Sequence, residues 1–248
     1  MNPDLPPDLR AAIGRRLDGI SRTALAVDAE RLSDSYRRGK SSAVGIPGAD
    51  AALAYLVARM PATYAAVAAA IAAVSARMPD FAPRGLLDLG AGPGTATFAA
   101  VEAFATIESC TLLEPHAAFR DLAAGLMAES ADPTLKQAKI QAGDARKAPH
   151  GLSLADLVVA SYVLVETDAA GTRNIVATAL AHGTGTILLV EPGTPAGFDK
   201  IRAARVDLLA AGLHIFAPCP GNVACPMTAP DWCHFSQRLP RSRDHMAL

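Results

Sequence analysis

Three cysteines lie close together in a segment rich in proline and glycine. Cys219, Cys225 and Cys233 fall within APCPGNVACPMTAPDWCHFSQR, and the remainder of the chain holds one further cysteine, Cys110. Thiolates grouped in this way are ligands that soft metals and iron–sulfur clusters select. We therefore predict a cysteine loop at 217–236 that binds a metal or a cluster. A disulfide, which would leave one thiol over, is the alternative.

A metal site of this kind takes four ligands, and Cys110 is a poor candidate for the fourth. It begins the run CTLLE at the amino edge of the predicted sheet, whereas Cys219 follows the run HIFAP at the opposite edge. Because a thiolate lies about 2.3 Å from its metal, we expect Cys110 to be a core residue instead. The fourth ligand is then His234, which gives a zinc site, or a residue past Leu248.

A glycine-rich segment, LDLGAGPGT, stands between a predicted strand and a predicted helix. Glycines allow a sharp turn and let a ligand approach the amides at a helix N-terminus. A dinucleotide fingerprint would place its third small residue where Thr95 stands. The spacing of Gly90, Gly92 and Gly94 after Asp88 instead resembles the first motif of class I S-adenosylmethionine-dependent methyltransferases, and we predict that these four residues bind that cofactor.

Polar side chains at the ends of the following strands agree with this interpretation. Glu114 ends the second strand, where a carboxylate would accept from the two ribose hydroxyls, and Asp144 follows the third, where one would meet the adenine amino group. The fourth strand begins at Asp156 and ends at Ser161 and Tyr162, which face the same crevice because parallel strands share their carboxyl edge. Ser161 joins the predicted cofactor-binding set.

The sequence offers no catalytic group. The residues after the fourth strand, ASYVLVE, contain neither the Asn/Asp-Pro-Pro-aromatic run of amino-methylating enzymes nor a cysteine nucleophile. Glu166 and Glu191 could orient a substrate, but we predict capping or packing roles for them. Since methyl transfer can proceed by positioning alone, enzymatic activity stays open.

The elements that must position these residues change character near residue 80. Residues 1–80 predict helices: one over 9–38, a second from about Asp50 and a third from Pro61. From 81 to 248, short apolar runs alternate with helical stretches, which predicts a doubly wound, mostly parallel Rossmann-like α/β sheet of the class I methyltransferase type. HIFAP predicts a sixth strand, and nothing after Asp231 predicts the antiparallel strand that usually closes such a sheet.

Composition limits the class of protein. Basic and acidic residues nearly balance, 23 against 24, which disfavours broad, non-specific binding to nucleic acid. The longest apolar run, at 65–74, is too short and too rich in alanine to span a bilayer. Asp4 and Asp8 suit neither a secretory signal nor a transit peptide. We expect a cytoplasmic protein with neither a membrane nor DNA as partner.

Taken with the glycine loop, CPGNVACPMTAPDWCHFSQR resembles the methyltransferase-like assembly factors of the mitochondrial small ribosomal subunit and their bacterial homologues, from about Tyr36 to Leu248. The resemblance implies an S-adenosylmethionine pocket, a 4Fe–4S cluster on the three grouped cysteines with a fourth ligand farther downstream, and association with small-subunit ribosomal RNA. Arg238, Arg241 and Arg243 could contact its phosphates. The alternatives are a non-enzymatic ribosome assembly factor that uses the fold as a scaffold, and a zinc-bearing small-molecule methyltransferase.

Overall fold

A parallel sheet of five strands forms the centre of the computed structural model, which describes residues 3–37, 48–147, 149–219 and 221–239. The strands are β1 (Gly85–Leu89), β2 (Ser109–Glu114), β3 (Lys139–Ala142), β4 (Ala155–Ser161) and β5 (Gly183–Val190). Their order in the sheet is β3-β2-β1-β4-β5, and every neighbouring pair is parallel. The order reverses between β1 and β4, which opens a crevice at their carboxyl ends. The predicted class I methyltransferase fold is confirmed.

Helices cover both faces of the sheet because alternate strand residues point to opposite sides. They are α1 (Pro7–Leu17), α2 (Arg22–Arg37), α3 (Ala49–Ala58), α4 (Met60–Arg77), α5 (Thr95–Ala103), α6 (Ala117–Ala128), α7 (Pro133–Lys136), α8 (Ala169–His182) and α9 (Pro195–Ala210). Leu86 of β1 joins a core with α1 to α6, whereas Leu87 and Leu89 join a second core with α8 and α9. The N-terminal helices therefore share one continuous core with the sheet.

The prediction of a single helix over 9–38 is wrong. Gly19 adopts a left-handed backbone, with φ 77°, and ends α1 before α2 begins. The guanidinium of Arg22 donates to the carbonyl of Leu17 at 3.1 Å and so satisfies part of the helix end. Apolar residues at helical spacing continue across the break, and for this reason the pattern did not reveal it.

The prediction of a sixth strand at HIFAP is also wrong. The backbone N–H of Ile215 donates to the Asn222 side chain at 3.0 Å, and Pro218 has no N–H to give to a ladder. Among the described residues, no strand follows β5. Residues 240–248, which include Arg241 and Arg243, lie outside the described part of the chain.

The helix α4 is apolar enough to span a membrane by length and composition alone, with a mean hydropathy of 1.2 over its 18 residues. It nevertheless buries Tyr64, Val67 and Ile71 in the core shared with the sheet. A core helix of a globular fold passes the same test of length and composition. The packing of α4 is that of such a core helix.

Candidate functional site

A crevice lies at the carboxyl edge of the sheet, where the turns after β1, β2 and β4 meet. Five of the seven predicted cofactor-binding residues line it: Gly90, Gly92, Glu114, Asp144 and Ser161. The other two are buried: Asp88 in β1, and Gly94 at the end of the glycine loop. The structure thus brings together residues that lie far apart in the sequence, because the parallel strands end side by side.

The glycine loop depends on backbone angles that favour glycine. Gly90, Gly92 and Gly94 all have left-handed backbones, with φ of 69°, 55° and 84°. A Cβ atom at Gly90 would lie 2.6 Å from a methyl group of Val163. A Cβ atom at Gly92 would meet nothing within 4 Å, so this part of the loop leaves space beside its backbone. The glycine loop therefore packs against Val163 at Gly90 and leaves open space at Gly92.

Asp88 forms hydrogen bonds to the first turn of α5, the helix that follows this loop. Its Oδ2 accepts from the Thr97 backbone N–H at 3.1 Å and from the Thr97 hydroxyl at 2.8 Å. The residue is fully buried, its Oδ1 has no protein partner, and burial raises its pKa to about 6. Asp88 therefore supports the loop at the start of α5 and does not itself line the crevice.

Glu114 connects the end of β2 to the glycine loop. Its Oε2 accepts from the Gly92 N–H and its Oε1 from the His116 N–H, both at 2.8 Å. The side chain is buried, and desolvation raises its pKa to about 7. Each oxygen has one protein donor and keeps capacity for a second, so the carboxylate could also accept from a pair of hydroxyl groups.

The carboxylate of Asp144 is engaged by a charged side chain, whereas that of Glu114 accepts only from backbone N–H groups. The Asp144 carboxylate forms an ion pair with Arg146, with Oδ2 and Nη2 at 2.7 Å, and also accepts from the Arg146 backbone N–H at 2.9 Å. Hydrogen bonding from the guanidinium lowers the pKa of Asp144. Both residues line the crevice.

Two tyrosines complete the crevice walls. Tyr55 reaches it from α3 and packs edge-on against Phe119, with ring centroids 5.1 Å apart. Sequence reasoning missed Tyr55, because a helical pattern does not tell which residue will touch a distant sheet edge. Tyr162, placed at the crevice by its position after β4, has φ 59°, the one positive φ found at a non-glycine residue in the described ranges. Its N–H donates to Val190 at 2.7 Å, which holds this strained turn.

The capping role predicted for Glu191 is confirmed. Its two oxygens accept from the N–H groups of Leu164 and Val165 at 2.7 and 3.1 Å, at the start of the 3-10 turn Leu164–Glu166. Burial raises its pKa to about 8. Glu166, by contrast, lines the crevice itself.

The cysteine loop lies along α9. The guanidinium of Arg205 donates to the carbonyls of Gly221 and Val223 at 2.9 and 2.7 Å, and Arg202 donates to that of Met227 at 3.3 Å. Farther along, the Trp232 indole donates to the carbonyl of Gly193 at 3.1 Å, just before α9 begins. The loop therefore runs antiparallel to the helix and is stretched along it.

This path does not gather the three predicted metal ligands. Cys219, Cys225 and Cys233 are free thiols, and the described ranges contain no group of three or more His, Cys, Asp or Glu side chains placed to hold a metal. Cys225 faces α9 beside Arg202, whereas Cys233 follows the anchored Trp232. In this arrangement, the three thiols do not fit a cluster or a zinc ion.

Cys110 lies in the core, as predicted. Its side chain is 4% exposed and belongs to the cluster that packs α5 and α6 against the sheet. Desolvation raises the pKa of its thiol to about 12, so it stays protonated in the core.

Sequence comparison identifies the family. The family model described as mitochondrial small ribosomal subunit Rsm22 matches residues 49–248, which include α3, the crevice and the cysteine loop. The chain belongs to the Rsm22 family. The resemblance to methyltransferase-like small-subunit assembly factors is thereby confirmed.

One curated relative of this chain is the human mitochondrial ribosome assembly protein METTL17. It is 32% identical over 201 residues, which cover 75% of this chain and 43% of the human protein. The chain thus spans less than half the length of this relative.

Solved structures similar to this Rsm22-family chain include several methyltransferases. A SAM-bound amino pentose methyltransferase, CalS10 from Micromonospora echinaspora, shares 26% identity and a TM-score of 0.42 over 55% of this chain and 53% of its own. A putative RNA methyltransferase from Pyrococcus horikoshii shares 16% identity and a TM-score of 0.43 over 56% and 63% of the two chains. Likenesses this loose add nothing about function.

Proposed function

We propose that this chain binds S-adenosylmethionine in the crevice and acts with the small ribosomal subunit, as an assembly factor or as a methyltransferase for its RNA. The observation that carries the proposal is Glu114, a buried carboxylate joined to the glycine loop through the Gly92 amide. The membership of the Rsm22 family supports the ribosomal part.

The crevice residues fit this cofactor. The space beside Gly92 admits a ligand close to the backbone, and Glu114 keeps acceptor capacity for the two ribose hydroxyls. Ser161 and Tyr162 stand at the end of β4, where an acceptor substrate would reach the crevice. When bound, the cofactor supplies a methyl group activated by its sulfonium charge. The protein's part would be to orient the two reactants and exclude water.

Calorimetric titration with S-adenosylmethionine tests the binding. We expect Glu114→Gln to weaken binding by about tenfold or more, since hydrogen bonds to a charged acceptor contribute ~1.5–3 kcal/mol. Glu108→Gln is the matched control, because Glu108 is exposed at the opposite end of β2, in an ion pair with Arg84. Equal affinities for the two variants, or no binding by the unmodified protein, would overturn the proposal.

The second candidate function is a scaffold that binds the cofactor but transfers nothing. It is favoured by two carboxylates at and beside the crevice that are already engaged within the protein: Asp144 is paired with Arg146, and Glu191 caps the turn that begins at Leu164. Incubation of small subunits with cofactor labelled at its methyl group separates the two. Label in the RNA that disappears in Glu114→Gln supports the enzyme, whereas binding without label supports the scaffold.

The proposed RNA contact rests on the cysteine loop. Trp232, Phe235 and Arg238 are exposed, and Phe235 is 73% accessible. Aromatic side chains stack on unpaired bases and arginine binds phosphates. Crosslinking to small subunits should give RNA adducts on this loop, reduced in Phe235→Ala.

A ribosome-associated protein shares the compartment of its ribosome, and the cytoplasm stays our prediction.

Iron–sulfur binding is a further proposal for the cysteine loop, with zinc as its alternative. Because the described residues contain no group of three side chains placed to hold a metal, the loop would have to draw its thiols together around one. Anaerobic purification with metal analysis and a visible spectrum tests this. Iron and sulfide bound in stoichiometric amounts, and lost in Cys225→Ser, support the cluster. Colourless protein with one zinc supports the alternative, and protein without metal overturns both.

A further inference from the structure

The ion pair between Asp144 and Arg146 occupies the position at which the cofactor proposal requires a free carboxylate. Asp144 Oδ1 accepts from the backbone N–H and from the Nε of Arg146, each at 2.9 Å. Asp144 Oδ2 accepts from the same Nε at 3.1 Å and from Nη2 at 2.7 Å. The pair lines the crevice.

These contacts use the acceptor capacity of the carboxylate. A carboxylate offers about four lone-pair positions, and three N–H groups of Arg146 contact all of them, because the Nε–H is shared between the two oxygens. An adenine amino group can donate to Asp144 only if the guanidinium gives up a contact. The opposite holds at Glu114, where each oxygen has a single donor.

The surroundings of Arg146 let its guanidinium leave. Its side chain is 47% exposed, while that of Asp144 is 15% exposed. Glu166 also lines the crevice, and its charge, with that of Asp168, acts on the Arg146 guanidinium. The bond from the Arg146 backbone N–H to Asp144 does not depend on the side chain and would keep the carboxylate in place.

We propose that Arg146 is a latch that competes with the adenine base for Asp144, so that nucleotide binding requires the guanidinium to release the carboxylate. Arg146 is thus a positioning residue that lowers affinity and reduces discrimination between purine bases. The inference rests on the proposed binding of S-adenosylmethionine.

The test measures affinity in Arg146→Met, which keeps the apolar stem and removes the guanidinium. We expect S-adenosylhomocysteine and S-adenosylmethionine to bind about three- to tenfold more tightly, the value of one hydrogen bond. S-inosylhomocysteine, which carries an oxygen in place of the amino group, should gain nothing. Arg84→Met is the matched control: Arg84 also forms a 2.7 Å ion pair, with Glu108, but outside the crevice.

The outcomes separate the latch from the cofactor proposal. Tighter adenosyl binding in Arg146→Met than in the unmodified protein, with the gain abolished when Asp144→Ala is added, supports the latch. Unchanged or weaker binding in Arg146→Met, with measurable binding by the unmodified protein, overturns the latch and leaves the cofactor proposal standing. Absence of binding in every variant overturns both. Thermal unfolding of each variant shows whether it is folded.

Discussion

The crevice and the cysteine loop are both rich in residues that could do chemistry, but they are held in different ways. At the crevice, Gly90 and Glu114 are fixed by backbone hydrogen bonds at the ends of paired, buried strands. The cysteine loop, in its described residues, has no strand or helix of its own and is attached to α9 through Arg202 and Arg205.

The contrast between the two regions shows when the positions of residues in a sequence predict how close they lie in the fold. Strands of known order convert sequence positions into neighbouring positions, and so Glu114 and Asp144 meet at one edge. Positions that are close in the sequence of a loop need not be close in space, because the path of a loop depends on the side chains that anchor it. Close spacing of three cysteines therefore did not guarantee that their sulfur atoms would meet.

The largest expected effect is at the crevice, whose glycine loop is held by hydrogen bonds to β2. Gly90→Ala adds left-handed strain and a contact with Val163, and we expect a loss of ~2–4 kcal/mol in the free energy of unfolding. Gly92→Ala has the strain without the contact and should lose ~1–2 kcal/mol. Urea unfolding measures both. If Val163→Ala fails to restore part of the loss in Gly90→Ala, the steric explanation is wrong.

Glu191, a buried carboxyl group beside the crevice, gives the stability of the protein a pH dependence that the cysteine loop should lack. The pKa of Glu191 rises from its ordinary 4.5 to about 8, so the folded state binds this proton more tightly than the unfolded state. The contribution of Glu191 to the free energy of unfolding is therefore complete below pH ~4.5. It falls as the pH rises toward 8, by up to ~1.4 kcal/mol per pH unit.

Glu191→Gln should flatten the fall in stability between pH 5 and 8, measured by urea unfolding at several pH values. Glu108→Gln, at an exposed position, should leave the slope as it is. An unchanged slope in Glu191→Gln would mean that this carboxyl group does not titrate in that range.

A smaller effect is expected where the loop meets α9. Arg205→Met removes the donor to Gly221 and Val223 and should speed hydrogen exchange and proteolysis in 217–236. Because these bonds are partly exposed, the global free energy of unfolding should change by ~1 kcal/mol or less. A large global change would show that the loop is as integral to the fold as the crevice.

The smallest effect is predicted for the thiols themselves. In metal-free protein, Cys225→Ser should change the free energy of unfolding by ~0.5 kcal/mol or less, since no described contact depends on its sulfur. Thermal unfolding with and without a chelator checks this. A strong destabilisation, or a large effect of the chelator, would mean that a metal holds the loop after all.

Much of the fold followed from the sequence, because alternating apolar runs and helices leave few arrangements for a parallel sheet. The strand predicted at HIFAP is absent because apolar character alone does not supply a neighbouring strand for its backbone. The Ile215 N–H instead donates to the side chain of Asn222. The crevice carboxylates were placed by strand ends. The grip of Arg146 on Asp144 could not be foreseen, because it depends on the conformation of one side chain.

Tyr55 has a consequence for anyone who wishes to trim this protein. The wall it provides comes from α3, so a version reduced to residues 81–248 would keep all five described strands yet leave the crevice open on one side. It would also uncover the apolar flank on which α4 rests. The smallest unit worth expressing for ligand studies therefore starts upstream of α3.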